Sequence, residues 1–348
     1  MARSFPSDSF AARVIAWQRS HGRHGLPWQE SRDAYRIWLS EVMLQQTQVA
    51  TVIPYFERFL ARFPTVRELA AAPEDDVLAL WSGLGYYARA RNLHRAAKDV
   101  VARHGGVFPV DSASLHQLPG VGRSTAAAIA AFACGERGAI LDGNVRRVVA
   151  RHAGIGGDPS SAAVVAALWQ AADARLPDAC IEPYTQGMMD LGAGICTVRK
   201  PACLLCPVAA DCVALNEDRI DELPGKRARR ESPRRRVSML VVLSQGEVLL
   251  EKRPPTGIWG GLWSLPEAPA DTDPGIALAS WGFHGAAFEP LAPFEHAFTH
   301  FTLEVTPWRV QPRNPPQLAA ERRATWLPLS DLAGAALPSP IRKLLQGL

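Results

Sequence analysis

A mostly helical region followed by a smaller α+β domain is the fold class this 348-residue sequence predicts. Three observations lead there. Apolar residues recur at helical spacing from residue 8 to about 218, in segments cut by breaks such as Phe63-Pro64, Ala72-Pro73, Phe108-Pro109 and Leu176-Pro177. A basic stretch over 219–236, punctuated by Pro224-Gly225 and Ser232-Pro233, interrupts that pattern and reads as an exposed linker. Beyond it the period shortens to that of strands: 237–243 and 247–251 bracket Ser244-Gln245-Gly246, a hairpin signature, and 298–305 and 324–329 read as further strands. The expected domains are therefore 1–218, a linker at 219–236, and 237–348.

Composition sets limits before any motif is considered. Hydrophobic residues at 47% and charged residues at 21% are ordinary for a globular chain, and no run approaches a membrane span. The first ten residues lack the apolar core of a secretory signal, so a cytoplasmic protein is expected. Net charge is +4, but 226–236 alone carries seven basic side chains and one acidic, a local +6, so the remainder sums to 4 − 6 = −2. Bulk charge does not by itself imply nucleic acid. The basic run reads equally as a solvated connector or as a phosphate contact.

The first element with chemistry in it is a helix predicted over 33–53. Tyr35, Trp38, Leu39, Val42, Met43 and Gln46 make one packed stripe at helical spacing. Glu41, Gln45 and Gln48 lie on another face, flanked by Ile37 and Leu44, and Glu41 has no Lys or Arg three or four residues away. A carboxyl in such company should have a raised pKa, as a general acid requires. Next, Leu118-Pro119-Gly120-Val121-Gly122 precedes an alanine-rich helix opened by Arg123-Ser124-Thr125. Gly120 and Gly122 would let backbone amides approach an anion at the helix start, as in a helix-hairpin-helix element gripping a DNA backbone. Asp142 then stands between a short apolar run and a new helix, a position that suits an N-cap and equally fixes a carboxylate for catalysis.

Six cysteines are present, four of them in the pattern Cys196-x6-Cys203-x2-Cys206-x5-Cys212. Four clustered thiols favour a metal centre over disulfides in a cytoplasmic chain. With only one Cys-x-x-Cys the spacing points to iron–sulfur, with zinc as the alternative. Cys134 and Cys180 read as buried free thiols.

Taken together, the string from Trp38 to Gln48, Gly83-Leu84-Gly85-Tyr86-Tyr87-Ala88-Arg89-Ala90-Arg91, the hairpin at 118–122, Leu141-Asp142-Gly143-Asn144-Val145 and the four cysteines resemble the adenine DNA glycosylases of the helix-hairpin-helix, endonuclease III superfamily. The likeness runs in order from about residue 10 to 215 and continues less sharply to the end. It implies base-excision repair: a monofunctional N-glycosylase, acting as a monomer on duplex DNA containing 8-oxoguanine:A or G:A mispairs, with one [4Fe-4S] cluster on the four cysteines. It further implies that Glu41 protonates a flipped adenine, that Asp142 stabilises or captures the sugar cation, and that Asn144 supports them. Gln46 and Tyr86 correspond to residues that wedge into the duplex, Gly120, Gly122 and Ser124 to the DNA-gripping hairpin, and Trp28 and Gln186 to the adenine pocket. The C-terminal part resembles that family's Nudix-like domain, with Phe298, Thr299 and His300 as an 8-oxoguanine sensor in which threonine replaces the usual serine.

Three rivals are distinguishable. A bifunctional glycosylase/lyase would carry lysine where Ser124 stands. A noncatalytic damage-binding module would lack Glu41 or Asp142. A Nudix phosphohydrolase would need an acidic box after Gly261, which this chain lacks.

Overall fold

The structure, a computed structural model, describes residues 8–226, 232–284, 286–312 and 323–348. The chain forms two compact units: residues 1–71 with 92–229, and residues 72–91 with 230–348.

The first unit is helical. Its elements are α1 (Phe10–His21), α2 (Ala34–Leu44), α3 (Val49–Arg62), α4 (Val66–Ala71), most of α6 (Ala88–His104), α7 (Ser112–His116), α8 (Arg123–Cys134), α9 (Gly143–His152), α10 (Ala162–Ala174), α11 (Ile181–Asp190) and α12 (Val213–Asn216). Side-chain oxygens start several of them: Ser9, Asp33, Asp111 and Asp142 each accept a first-turn amide. Helix α2 packs on α8 and α3, α1 on α11, and α7 on α8. The core between them holds Val14, Ile140, Val148, Leu168, Met188 and Leu191.

The helix expected over 33–53 is in fact two helices. Tyr35, Trp38, Leu39, Val42 and Met43 are buried as the stripe requires, but α2 ends at Leu44 and Gln46 turns left-handed, at φ 57°. Gln46 is consequently exposed at the turn rather than packed. Cys134 and Cys180 are also exposed, not buried. Cys134 is the last residue of α8 before the left-handed cap Gly135, and Cys180 caps α11 from outside at φ 56°, so neither faces the core.

Among its described residues the second unit is a mixed sheet with the helices α5 (Glu74–Trp81), α13 (Pro274–Ser280) and α14 (Ser339–Gln346). Its strands are β1 (Arg234–Ser244), β2 (Glu247–Lys252), β3 (Trp263–Ser264), β4 (Glu267–Pro269), β5 (Ala287–Pro290), β6 (Phe294–Ala297), β7 (Thr302–Gln311) and β8 (Ala324–Pro328). The central pair, β1 and β7, is parallel from Arg234↔Thr302 to Val242↔Val310. The hairpin read from Ser244-Gln245-Gly246 closes β1 on β2 in the register Ser244↔Glu247, with Gln245 and Gly246 both at positive φ. The strand expected over 298–305 begins only at Thr302, because Phe298 to Phe301 turn the chain between β6 and β7.

Residues 72–91 belong to this unit although they lie far upstream. Asp75 accepts from Lys252 and from the Trp263 indole at 3.2 Å, and Ser82 and Tyr87 both donate to the Leu337 carbonyl. The stretch expected as linker is also shorter than its composition suggests. Leu223 is buried and its carbonyl accepts from Arg151 at 2.8 Å, so the helical unit runs past 218. At the other end β1 already contains Arg234 to Arg236, while 227–231 lie outside the described residues. Arg234 and Arg236 pair with Glu304, and Arg235 covers the Phe301 ring, so these three arginines serve the sheet.

Gly246 sits at φ 81° with open space where a Cβ would go. Gly246→Ala should therefore cost about 1–2 kcal/mol through backbone strain alone, with no clash to relieve. Urea unfolding of the C-terminal unit measures it.

Candidate functional site

In the helical unit a cavity of about 1190 Å³ opens between α2, α8, the start of α9, and α11. Trp28, Glu41, Gln46, Ser124, Asp142, Asn144 and Gln186 all line it. Seven of the residues singled out from sequence thus meet in one place.

Glu41 opens the last turn of α2, on the side away from the Trp38–Leu39–Met43 core. Burial, and then the charge of Asp142 across the cavity, push its carboxyl up to about 8. At neutral pH it holds a proton. Asp142 is the N-cap of α9: its Oδ1 accepts both the Asn144 and Val145 amides at 2.8 Å, leaving Oδ2 outside the cap. The two readings of this aspartate, cap and cavity carboxylate, are one arrangement. A cap bond fixes the side chain, and the helix terminus favours its negative charge.

Neighbouring groups hold this pair in place. Ser124 Oγ accepts the Leu141 amide at 2.9 Å, anchoring the chain just before Asp142. Asn144 Oδ1 accepts from Arg147 Nη2 at 3.0 Å, and Arg147 also donates to the carbonyls of Cys196, at 2.6 Å, and Gly192. A Cβ on Gly192 would lie 2.8 Å from the Asn144 backbone, so only glycine permits that approach. Trp28 is buried in a single 3₁₀ turn, edge-on to Phe56 at 5.4 Å. Gln186 donates to Asp190 at 2.8 Å.

The hairpin between α7 and α8 has the geometry its glycines imply. Gly120 adopts φ 80° with its α-hydrogens against Asn92, where a Cβ would meet Asn92 Cβ at 2.7 Å. Gly122 caps α8 with no side chain, leaving the first amides of that helix open to an anion.

Cys196, Cys203, Cys206 and Cys212 line a second, apolar cavity with Val148, Ile195, Val208 and Leu215. All four are free thiols. Burial and the neighbouring thiols push Cys206 up to about 11 and raise Cys203 and Cys212 as well. Arg151 spans the rim, donating to the Thr197 carbonyl at 2.7 Å and approaching Cys196 Sγ at 3.5 Å. Among the described residues no three ligand side chains converge on the single point a mononuclear ion needs.

Sequence reading missed Arg147, Arg151 and Gly192. The signal was available in part: Asn144, Arg147 and Arg151 stand at i, i+3 and i+7 on α9, one face, and both arginines are buried. Buried arginines need several acceptors, and a nearby cysteine loop offers backbone carbonyls.

The remaining candidates lie in the second unit. Tyr86 is half-exposed at φ 49°, its hydroxyl 3.4 Å from Thr299 Oγ1. Phe298 stacks on Phe301 at 4.7 Å and meets His296 at 4.6 Å and Trp259 at 5.6 Å. Only Thr299 and His300 of the proposed sensor triplet are exposed. Phe298 fixes the turn that presents them.

Two family models match the chain: the HhH-GPD superfamily of base excision DNA repair proteins over 39–174, and the NUDIX domain over 238–347. The adenine DNA glycosylase of Buchnera aphidicola subsp. Acyrthosiphon pisum is 34% identical over 338 residues, 97% of each chain. The human adenine DNA glycosylase is 31% identical over 97% of this chain and 73% of its own length. Among solved structures, a thermostable thymine-DNA glycosylase superposes with TM-score 0.54 at 28% identity, covering 60% of this chain and 95% of its own. An endonuclease III–DNA complex shows the same fold at TM-score 0.51 and 22% identity, covering 60% of this chain and 94% of its own.

Glu41 titrates well above an unfolded glutamate. Its contribution to stability is therefore fully present below the unfolded value, near 4.5, and lost as pH rises through about 8, where a buried charge is forced. Glu41→Gln should be more stable than the unaltered protein at pH 8–9, on the order of a few kcal/mol, with the gap closing towards pH 4.5. Urea unfolding across that pH range reads the effect.

Proposed function

This chain belongs to the adenine DNA glycosylase family, and from that membership and the cavity we propose that it removes adenine paired with 8-oxoguanine, or with guanine, by two-carboxylate hydrolysis of the glycosidic bond. The observation that carries the reading is the pair Glu41 and Asp142. One carboxyl is kept protonated and the other is held as a capped carboxylate, both lining one cavity.

Adenine stacked in a duplex cannot reach such a cavity, so the nucleotide must be flipped out. The uncapped amides of α8 and the Gly120–Gly122 turn hold the backbone phosphate, and exposed Gln46 and Tyr86 fill the duplex. Trp28 and Gln186 receive the base. Glu41 donates its proton to a ring nitrogen, which turns a poor leaving group into a good one. As the C1′–N9 bond breaks, positive charge develops on the sugar, and Asp142 Oδ2 faces it at fixed distance without moving. Water adds at C1′, giving up a proton to the Glu41 carboxylate, and leaves an abasic site. A serine hydroxyl cannot form an imine, so with Ser124 in the lyase position the reaction stops there. Thr299 and His300, presented by the aromatic turn, read the 8-oxoguanine left in the helix.

The donor set of the cysteine loop fits a [4Fe-4S] cluster: four thiols lining one apolar cavity, with Arg151 at its rim. Bound there, the cluster supplies a rigid cross-link rather than reaction chemistry. Arg147 and Arg151 pass the position of the loop to Asn144 and the start of α9. Among the described residues no helix is long and apolar enough to cross a membrane.

Single-turnover assays on 8-oxoguanine:A, G:A and T:A duplexes test the activity. Adenine release is expected from the first two only, with strands intact until alkali is added and little borohydride-trapped adduct. Glu41→Gln should bind the mismatch normally while excision falls about 10²–10⁴-fold. Activity of the unaltered enzyme should decline as pH rises through about 8, where Glu41 loses its proton. Near-normal excision by Glu41→Gln, or efficient trapping by the native protein, would defeat the assignment.

Anaerobically purified protein should contain roughly four irons per chain and absorb broadly in the visible. Cys203→Ser should lose that absorption together with DNA affinity. Stoichiometric zinc without iron would show that the loop holds a different centre.

A further inference from the structure

Gln186 and Asp190 are one turn apart on α11, and both are buried, at 7% and 4% exposure. Three donors reach the Asp190 carboxylate. Arg23 Nε approaches Oδ1 at 2.6 Å, the Arg23 backbone amide approaches Oδ2 at 2.8 Å, and Gln186 Nε2 approaches Oδ1 at 2.8 Å. A carboxylate in an ion pair only accepts, so the arm of the Gln186 amide turned towards it has to be the NH₂. The carbonyl oxygen is then the arm left for a ligand, on a residue that lines the cavity. Arg23 is itself fixed, because its carbonyl accepts from Gln29 at 3.2 Å.

We propose that Asp190 is a specificity-determining positioning residue: through Gln186 it gives the cavity a fixed hydrogen-bond acceptor and so selects 6-amino purines over 6-oxo purines. The proposal rests on the reading of the cavity as the adenine pocket. The exocyclic amine of adenine donates to such an acceptor. Hypoxanthine and guanine place a carbonyl at the same ring position, where oxygen faces oxygen and both are left without a donor. An amide free to rotate would serve either base by turning over. The Arg23–Asp190 pair prevents that turn, since it would bring the glutamine oxygen against the carboxylate.

The test uses full-length protein and three duplexes, each with 8-oxoguanine opposite adenine, hypoxanthine or unsubstituted purine. Asp190→Asn offers Gln186 either a donor or an acceptor and releases the amide. Single-turnover excision of adenine should fall about tenfold, excision of unsubstituted purine should change by less than about twofold, and hypoxanthine should be unaffected or faster. The adenine-to-hypoxanthine ratio therefore collapses. An equal loss on all three bases would mark a merely structural role and overturn the proposal, as would an unchanged ratio. Gln186→Leu leaves the Arg23–Asp190 pair in place and gives a second route should Asp190→Asn not fold. It should show the same adenine-selective loss, and retention of the native ratio overturns the proposal. If the unaltered protein releases adenine from no duplex, the adenine reading itself fails, an outcome visible before any variant is compared.

Discussion

The cap bonds at the start of α9 are the interaction on which the rest of the helical unit depends. Asp142 accepts two backbone amides with one oxygen and keeps the other outside the cap. That fixes a negative charge at a known place, and the helix N-terminus makes the charge comfortable there. Burial is the larger cause of the raised Glu41 carboxyl, and the charge held at Asp142 across the cavity adds to it. A pair of equally solvated carboxylates would both ionise at neutral pH and leave no proton to donate.

What fixes the start of α9 lies on two sides of it. Upstream, Ser124 of the hairpin helix accepts the Leu141 amide, so the element expected to grip phosphate also anchors the chain just before Asp142. Downstream, Arg147, which also donates to Asn144, and Arg151 tie the helix to the carbonyls of residues 192, 196, 197 and 223. The cysteine loop is therefore coupled mechanically to the carboxylates although it contributes no group to the cavity. A loose loop would release Arg147, and with it Asn144, before disturbing any packed apolar residue.

The sequence showed much of this, and the omissions have identifiable causes. Periodicity found the buried stripe Tyr35 to Met43 because burial on one helix face is a local property. It ran one turn too far, through Gln46, because nothing in composition marks a non-glycine residue turning left-handed. The strand pattern of 298–305 was misplaced for a related reason: Phe298 and Phe301 are apolar because they stack on one another in a turn, not because they alternate across a sheet. Cys134 and Cys180 were assigned by residue type, but each sits at a helix terminus, where direction is set by the cap. Arg147 and Arg151 were visible as a helical face. Their partners are carbonyls 45 to 72 residues away, which no local pattern specifies.

Chain order proved the weakest guide to organisation. Residues 72–91 come from the middle of the helical sequence, yet several of their polar groups are satisfied by the C-terminal unit: Asp75 by Lys252 and Trp263 of the sheet, Ser82 and Tyr87 by the Leu337 carbonyl just before α14. Tyr86 belongs to that segment, and its hydroxyl lies beside Thr299. A residue expected to enter the duplex and one expected to read 8-oxoguanine are consequently carried by the same unit, while both carboxylates sit in the other. Gln46, the other residue expected to enter the duplex, stays with the carboxylates. Substitutions in the sheet that loosen the 72–91 segment would be felt through Tyr86 as a loss of DNA engagement, with the proton on Glu41 and the cap on Asp142 left as they are.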